Sequence, residues 1–454
     1  MTTTAALRTA PGPRGRPLVG VLPEVRRDPL RFLTETARTY GEVARYRLGP
    51  LRSFLISGPD GVRHVLQENV RNYTKDHFSY SMVRWVAGDG LLTSQGDFWL
   101  RQRRLAQPAF HRQRIAALGA GMARAAAERV DSWAPAAESG RPIDAAEEMT
   151  HLALRIVGES LFGGGLGERT ATVSRAFTTI SEQLVTRFRT MRLLPPVLPF
   201  GQDRAFREAT AALDEVVYGI IAERRRRGGD SGDLLSMLML AQDEETGERM
   251  DDRQLRDEVL TMLVAGHETT ATTLAWAWAL LARHPEVERR LHTELDEALA
   301  GRAPAAEDLP RMPYTRMVID ETLRLYPPAY IVSRKVMEED EIAGFRIPAG
   351  VSVDISPYVT HRSPALWERP DAFEPERFTP ERAAGRHRYA YFPFSGGPRQ
   401  CIGNSFALME AQLVLATVAE RYRLRPLHTG PLDAEPLITL RPRGGLPVML
   451  ERRA

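Results

Sequence analysis

The chain has 454 residues, 43% of them hydrophobic and 26% charged, with a formal net charge of +3, the make-up of a soluble globular protein with a large core. Its one cysteine, Cys401, excludes an internal disulfide, a cysteine-based zinc site and an iron–sulfur cluster, each of which needs several thiolates. No run approaches the ~18 apolar residues of a membrane span, and the opening MTTTAALRTAPGPRGRPLVG lacks the apolar core of a signal peptide, so a soluble, cytoplasmic chain with no membrane span is expected.

Residues 1–20, rich in Pro, Gly and Arg, read as an extended arm ahead of a single unit from 21 to 454. DPLRFLTETARTY (28–40) predicts an amphipathic helix, with Asp28 as N-cap and Pro29 at the first helical position. VARYRLG and LRSFLIS follow as strands between Gly and Pro. From about 59 to 300, Ala, Leu, Glu and Arg recur at helical spacing. RRRR at 224–227 stands between YGIIAE and GGDSGD and reads as a solvated helix end, so no nucleic-acid partner is expected. Of the 61 basic residues only Lys75 and Lys335 are lysines, a bias that GC-rich codon usage explains for most positions. Short strands return after about 330. A helix then covers NSFALMEAQLVLATVAERY, and PLITLRPRGGLPVML reads as strands around a Gly-Gly turn. The fold class is mainly α with a small β region (α+β).

The surroundings of Cys401 do not suit a buried structural thiol. In FSGGPRQCIG (394–403), Gly396, Gly397 and Gly403 let backbone pass close to something flat and large. Loop N–H groups can face the sulfur, and the positive end of the following helix favours thiolate. Arg399 can bind an anion beside it. Three further patterns stand upstream: WLRQR (99–103), AGHETT (265–270) within a helical stretch from about Asp252 to Arg283, and ETLRLYPP (321–328). PERF (375–378) follows them. A polar HETT inside an apolar helix is costly without a purpose, although its threonines can bond back to carbonyls one turn earlier. Glu321 and Arg324, at i and i+3, share a helix face.

Phe394, Gly397, Arg399, Cys401 and Gly403 fit F-x-x-G-x-R-x-C-x-G. With the other patterns in order, the chain resembles the cytochrome P-450 family from about residue 15 to 450. The resemblance implies a cytochrome P-450 fold, with haem b between the long central helix and the cysteine-loop helix, Cys401 as the iron ligand and O2 as co-substrate. It implies that Gly266 opens room beside the haem, and that Thr269 and Glu268 relay protons to bound oxygen. Trp99, Arg103, Arg334 and Arg399 would meet the propionates, with Phe394 and Gly403 shaping the loop; His64 is placed either with them or on a helix surface. Glu321, Arg324 and Arg377 would form a buried ion network that is structural. The activity implied is a monooxygenase that inserts one oxygen atom of O2 into a C–H bond.

By the same resemblance the substrate pocket is lined by Phe78, Tyr80 and Trp85, by Leu263 and Ala265, by Ala329 and Val332, and by Ile438 with Leu437 and Thr439. LLPPVLP (193–199) would form an apolar lid. Such a lining suits a lipophilic small molecule: a terpenoid, fatty acid, carotenoid or polyketide. Electrons are expected from a separate ferredoxin and ferredoxin reductase, because too few residues follow Cys401 for a flavin domain and no apolar anchor of the microsomal kind is seen; Arg101, Arg104, Arg112 and Arg114 form either the docking surface for the ferredoxin or a solvated helix face. Two other classes remain open, a peroxide-driven haem-thiolate peroxygenase and a non-catalytic haem sensor. Neither needs the Glu268–Thr269 pair.

Overall fold

The structure is a computed structural model and describes residues 8–163, 166–190, 202–428 and 430–453; the stretch 193–199, read above as a lid, lies outside them. The chain divides into two compact units. The first takes the chain up to Ser81, Leu323–Glu374 and Pro380–Cys401, and the second takes Met82–Thr322, Pro375–Thr379 and Ile402 onward.

The first unit is built on a twisted five-stranded sheet. Its strands are β1 (Val43–Leu48), β2 (Leu51–Ile56), β3 (Tyr73–Thr74), β4 (Val332–Val336) and β5 (Ser352–Ile355), in the spatial order β1-β2-β5-β4-β3. β1 and β2 form an antiparallel hairpin, which turns at Gly49 with φ +59. β2 runs parallel to β5, and β4 antiparallel to both β5 and β3. Central β5 is buried at every position, as a strand covered on both faces must be, while edge strand β1 mixes buried and exposed residues. Phe54, Ile56, Val336, Val353 and Ile355 form the middle of the core, each 0–6% exposed.

Helix α1 (Pro29–Tyr40) follows the sequence expectation: Asp28 accepts the Arg31 N–H at 2.9 Å, and Pro29 holds the first position. Its Phe32 ring meets Tyr46 edge-on at 5.3 Å. Within the arm, Pro11 O accepts the Arg45 N–H and Arg47 O the Val21 N–H, both at 2.8 Å. The arm thereby covers the free edge of β1, where unpaired backbone groups would otherwise recruit another strand.

The second unit is helical. Four helices matter most for the site: α2 (Gly96–Ala106), α3 (Ala145–Phe162), α4 (Asp252–Leu281) and α5 (Asn404–Arg421). α4 begins where Asp251 accepts the Gln254 N–H at 2.7 Å, and runs 30 residues. It packs on α3 and α5. Leu255, Val259, Leu260 and Trp276 on it are all 0% exposed, so the helix is enclosed on several sides. α5 is also enclosed, with Leu413, Val414 and Leu415 at 0%. Truncating any of these leucines to Ala costs about 2–5 kcal/mol. Near the C-terminus, β6 (Ala434–Pro436) and β7 (Leu440–Pro442) form a small antiparallel hairpin. Arg224, read with its neighbours as solvated, is buried at 8% exposure and paired with Asp233 at 2.6 Å. Arg225 and Arg227 stay exposed and pair with Asp252 and Glu223.

Candidate active site

In the first unit the cysteine sits on a braced loop. Gly397–Arg399 form one 3-10 turn, Gln400 N–H donates to Gly397 O at 3.1 Å, and Cys401 N–H to Phe394 O at 3.0 Å. Gly397 has φ +65, and a Cβ there would lie 1.9 Å from Leu66 O, so only glycine fits. Below the loop, His361 Nε2 accepts the Phe392 N–H at 2.9 Å, which puts the ring proton on Nδ1. Burial, then the Arg324 and Arg362 charges, hold this imidazole well below its ordinary pKa, so it stays neutral. Cys401 itself is exposed. Phe394 and Arg399 beside it are half-buried. Gly403 caps α5, which starts at Asn404, so the thiol lies just ahead of a helix N-terminus.

A cation cluster stands in the same unit. Arg334, on β4, is 3% exposed, and its Nη1 donates to the Tyr80 hydroxyl at 2.7 Å and to Ser333 O at 2.8 Å. It forms no ion pair among the described residues. Lys75, 8% exposed, lies 5.1 Å from the centre of the Tyr80 ring. Lys75 was missed from the sequence, although a lysine kept in a chain of arginines was a signal. A buried guanidinium without a counter-charge is costly, and an anionic group would offset that cost. Buried cations and an exposed thiol are the group types that the propionates and iron of a haem require. Tyr80 thus belongs to the cation cluster. His64 belongs to neither cluster. Its Nε2 bonds Asp340 Oδ2 at 2.8 Å, and the same oxygen accepts from Asn69 at 2.9 Å and Tyr73 at 2.6 Å. A histidine committed to a local carboxylate is structural, which corrects the propionate expectation.

In the second unit, α4 opens to solvent in its middle. Ala265 is exposed and Gly266, Glu268 and Thr269 are half-buried, while Leu263, His267 and Thr270 are buried. Residues 265, 268 and 269 share one face at i, i+3, i+4, and Leu263 points away. Leu263, at 0% exposed, therefore lines no open space, a correction to the pocket expectation. Gly266 is also corrected. A Cβ at 266 would lie 3.0 Å from Val157 of α3, so this glycine allows two helices to approach, and the open face belongs to Ala265.

The two polar groups of that face are both engaged. Thr269 Oγ1 donates to Ala265 O at 2.7 Å, the back-bond considered above, which turns its lone pairs outward. Glu268 Oε1 accepts the Thr439 hydroxyl at 2.7 Å. Two other acids are sealed off. Burial pushes Glu258 up to about 8; its Oε2 accepts the Leu91 N–H at 3.1 Å. Glu410, fully buried on α5 beside the Thr270 hydroxyl, is held by burial well above the usual carboxylate range.

Trp99 and Arg103 lie one turn apart on α2, both half-buried. Glu321 and Arg377 form a buried pair at 3.3 Å, with side chains 0% and 3% exposed. Arg324, also 0% exposed, donates to the carbonyls of His361, Pro370 and Ala372 at 2.8, 2.6 and 2.9 Å. The E-x-x-R residues are thus a scaffold device that carries both an ion pair and backbone anchoring.

Of the remaining pocket candidates, Phe78 and Trp85 are half-buried, Val332 is half-buried on β4, Ala329 is exposed, and Ile438 is 41% exposed on the turn after β6. Phe78 rests on His77 at 4.4 Å, and Arg187 lies 5.5 Å over Trp85. The docking arginines divide. Arg101 pairs with Glu248, and Arg104 with Asp243 at 2.9 Å and Glu245 at 3.0 Å, so both are neutralised within the chain. Arg112 and Arg114 are exposed and form no ion pair among the described residues.

The family model described as "Cytochrome P450" matches residues 10–447. Among curated proteins, the chain is 40% identical over 430 residues to cyclooctatin synthase of Streptomyces melanosporofaciens, covering 94% of this chain and 92% of that one. It is 41% identical over 420 residues to cyclooctat-9-en-7-ol 5-monooxygenase of the same organism, covering 92% and 90%. It is 36% identical over 419 residues to pentalenene oxygenase of Streptomyces avermitilis, covering 92% and 91%. Among solved structures, a cytochrome P-450DA heme domain superposes with a TM-score of 0.90 at 30% identity, covering 99% of this chain and 98% of that one.

Proposed function

The chain belongs to the cytochrome P-450 family, and from that premise we propose that it hydroxylates a terpenoid, with electrons from a ferredoxin and its reductase. As a family member it is a monooxygenase that uses haem b and O2. The fold is the expected one, mainly helical with small sheets. No helix among the described residues is long and apolar enough to cross a membrane.

The overall reaction balances as R–H + O2 + 2 e− + 2 H+ → R–OH + H2O. When bound, the haem supplies oxygen activation, and a thiolate ligand favours O–O cleavage. The chain's residues do the rest. Cys401 offers the sulfur. Arg334, Lys75 and Arg399 would hold propionates from the first unit, and Trp99 and Arg103 would do so from the second. Glu268 takes up and gives a proton at its carboxylate, and Thr269 passes it through a hydroxyl whose lone pairs already face outward. Arg112 and Arg114, exposed and without an ion pair among the described residues, would meet an acidic electron donor.

The observation that carries this reading is the opening in α4. An exposed alanine, an acid and an alcohol share one face in the middle of an otherwise enclosed helix. A haem that only sensed gas or carried electrons would not need that pair. The terpenoid class rests on the exposed or half-buried apolar side chains Phe78, Trp85, Ala329, Val332 and Ile438, and on three relatives whose names specify terpenoid substrates or products.

The test is a titration of the purified ferric protein with pentalenene, cyclooctat-9-en-7-ol, a saturated fatty acid and a macrolide, following the haem absorption band. The expected result is a shift toward high spin with a terpenoid alone. A shift with only the fatty acid or the macrolide, or with none, overturns the terpenoid reading.

A further inference from the structure

Glu268 is not free in this fold. Its Oε1 is occupied by a hydroxyl from Thr439, a residue of the C-terminal hairpin. Thr439 is 5% exposed and stands directly before β7. Leu437 N–H donates to Thr439 O at 3.0 Å, which closes the turn 437–439 tightly. The next residue, Leu440, is 0% exposed, and its carbonyl accepts the Trp276 Nε1–H at 2.6 Å. Glu268 and Trp276 both lie on α4, separated by about 12 Å of helix rise. The hairpin is thus fastened to the helix at two points. The Trp276 end is buried and apolar; the Thr439 end is a single polar contact on the breached face.

Ile438 lies between Leu437 and Thr439. It is 41% exposed, so a large apolar side chain on the anchored turn is open to contact. Whatever apolar molecule covers Ile438 presses on a turn of three residues whose last member holds the acid. At the same time Thr269 donates to its own helix at Ala265 O. The acid and the alcohol that the reaction needs together are therefore each held by another partner.

We infer that Thr439 is a latch: it holds the Glu268 carboxylate away from proton transfer until a substrate seated on Ile438 shifts the 437–439 turn and frees it. This rests on the monooxygenase reading for the role of Glu268. Thr439 is a positioning residue; it acts through Glu268. The differential contact that moves the equilibrium is the substrate's contact with Ile438, which is closer in the released arrangement than in the latched one. The device answers a hazard of the chemistry. Electrons that arrive without substrate are lost through O2 + 2 e− + 2 H+ → H2O2. An acid released only by substrate withholds protons from that side reaction.

The test begins with the substrate-free ferric holoenzyme. Isotope-edited infrared difference spectra against Glu268→Gln assign the Glu268 carboxylate band. Thr439→Val, isosteric but without a donor, should shift that band, and Thr439→Ser should restore it. An unshifted band in Thr439→Val overturns the latch. Next, with ferredoxin, reductase and NADPH but no substrate, Thr439→Val should release peroxide roughly tenfold faster than wild type, the scale of one lost hydrogen bond to a charged group. Thr439→Ser should stay near wild type. Equal peroxide release in all three also overturns it. Last, the terpenoid that shifts the haem band should move the Glu268 band of wild type to the Thr439→Val position. If the terpenoid shifts the haem band but not the carboxylate band, the latch fails and the substrate reading stands. If no terpenoid shifts the haem band, the substrate reading fails, and the first two measurements still judge the latch.

Discussion

Glu258 and Glu268 lie on the same helix, and their surroundings differ in the one property that decides what an acid can do. Glu258 is 0% exposed, on a stretch of α4 covered by the loop Gly88–Leu91. That loop lies close because it carries glycines: at Gly88, with φ +60, a Cβ would stand 2.1 Å from Asp257 Oδ1. Glu258 Oε1 and Thr261 Oγ1 find no hydrogen-bond partner among the described residues. Such a carboxyl avoids its desolvation cost by keeping its proton. Glu268 is half-buried on the open face, and its carboxylate accepts a hydroxyl from another element. The sealed acid serves the fold. The reachable one is the acid that the proposed function assigns to the reaction.

This contrast is sharpest under pH. Glu258 ionises near 4.5 in an unfolded chain and near 8 in the folded one. Because the folded pKa is the higher, its stabilising contribution is full below pH 4.5 and is lost as pH rises toward 8. Wild type should lose roughly 4 kcal/mol across that window relative to Glu258→Gln, which cannot ionise. Urea unfolding of both proteins at several pH values checks this, and parallel pH curves would refute it.

A third acid tests the other way of burying a carboxyl. Glu321 is as buried as Glu258 but is paired with Arg377. Arg377→Leu leaves that carboxylate without its partner and should cost about 3 kcal/mol or more, seen as a lower unfolding midpoint with the haem content of the surviving folded protein unchanged. A loss below about 1 kcal/mol would mean that the pair is not the brace described above.

The smallest effect on stability belongs to Glu268. Glu268→Gln should move the unfolding free energy by no more than about 0.5 kcal/mol, yet with substrate bound slow product formation by roughly 10²-fold and raise the peroxide released per electron consumed. If it unfolds the protein as readily as a change at Arg377, the distinction between sealed and reachable acids is lost.

Local chemistry made much of this legible from the chain alone. Asp28 and Pro29 announced a helix start, and the strands over 43–56 followed from alternation between Gly and Pro. The F-x-x-G-x-R-x-C-x-G loop carried its own evidence, because Gly397 stands where no side chain could. The Glu321–Arg377 pair was legible only from resemblance, since acids and arginines are too common here for spacing to select two of them. Other assignments failed because they depend on which way a side chain points. Gly266 faces Val157, His64 was drawn to Asp340, Leu263 points into the core, and Arg101 and Arg104 met acids far along the chain.

Sequence by itself determined the elements, the cysteine loop and the residue types a monooxygenase needs, because those follow from backbone preference, periodicity and short-range spacing. Only tertiary structure decided which acid is reachable and which is sealed, that Lys75 and Arg334 share Tyr80, and that Thr439 holds Glu268. Those facts are set by burial and by contacts between residues up to 254 positions apart, and neither can be read from neighbours along the chain.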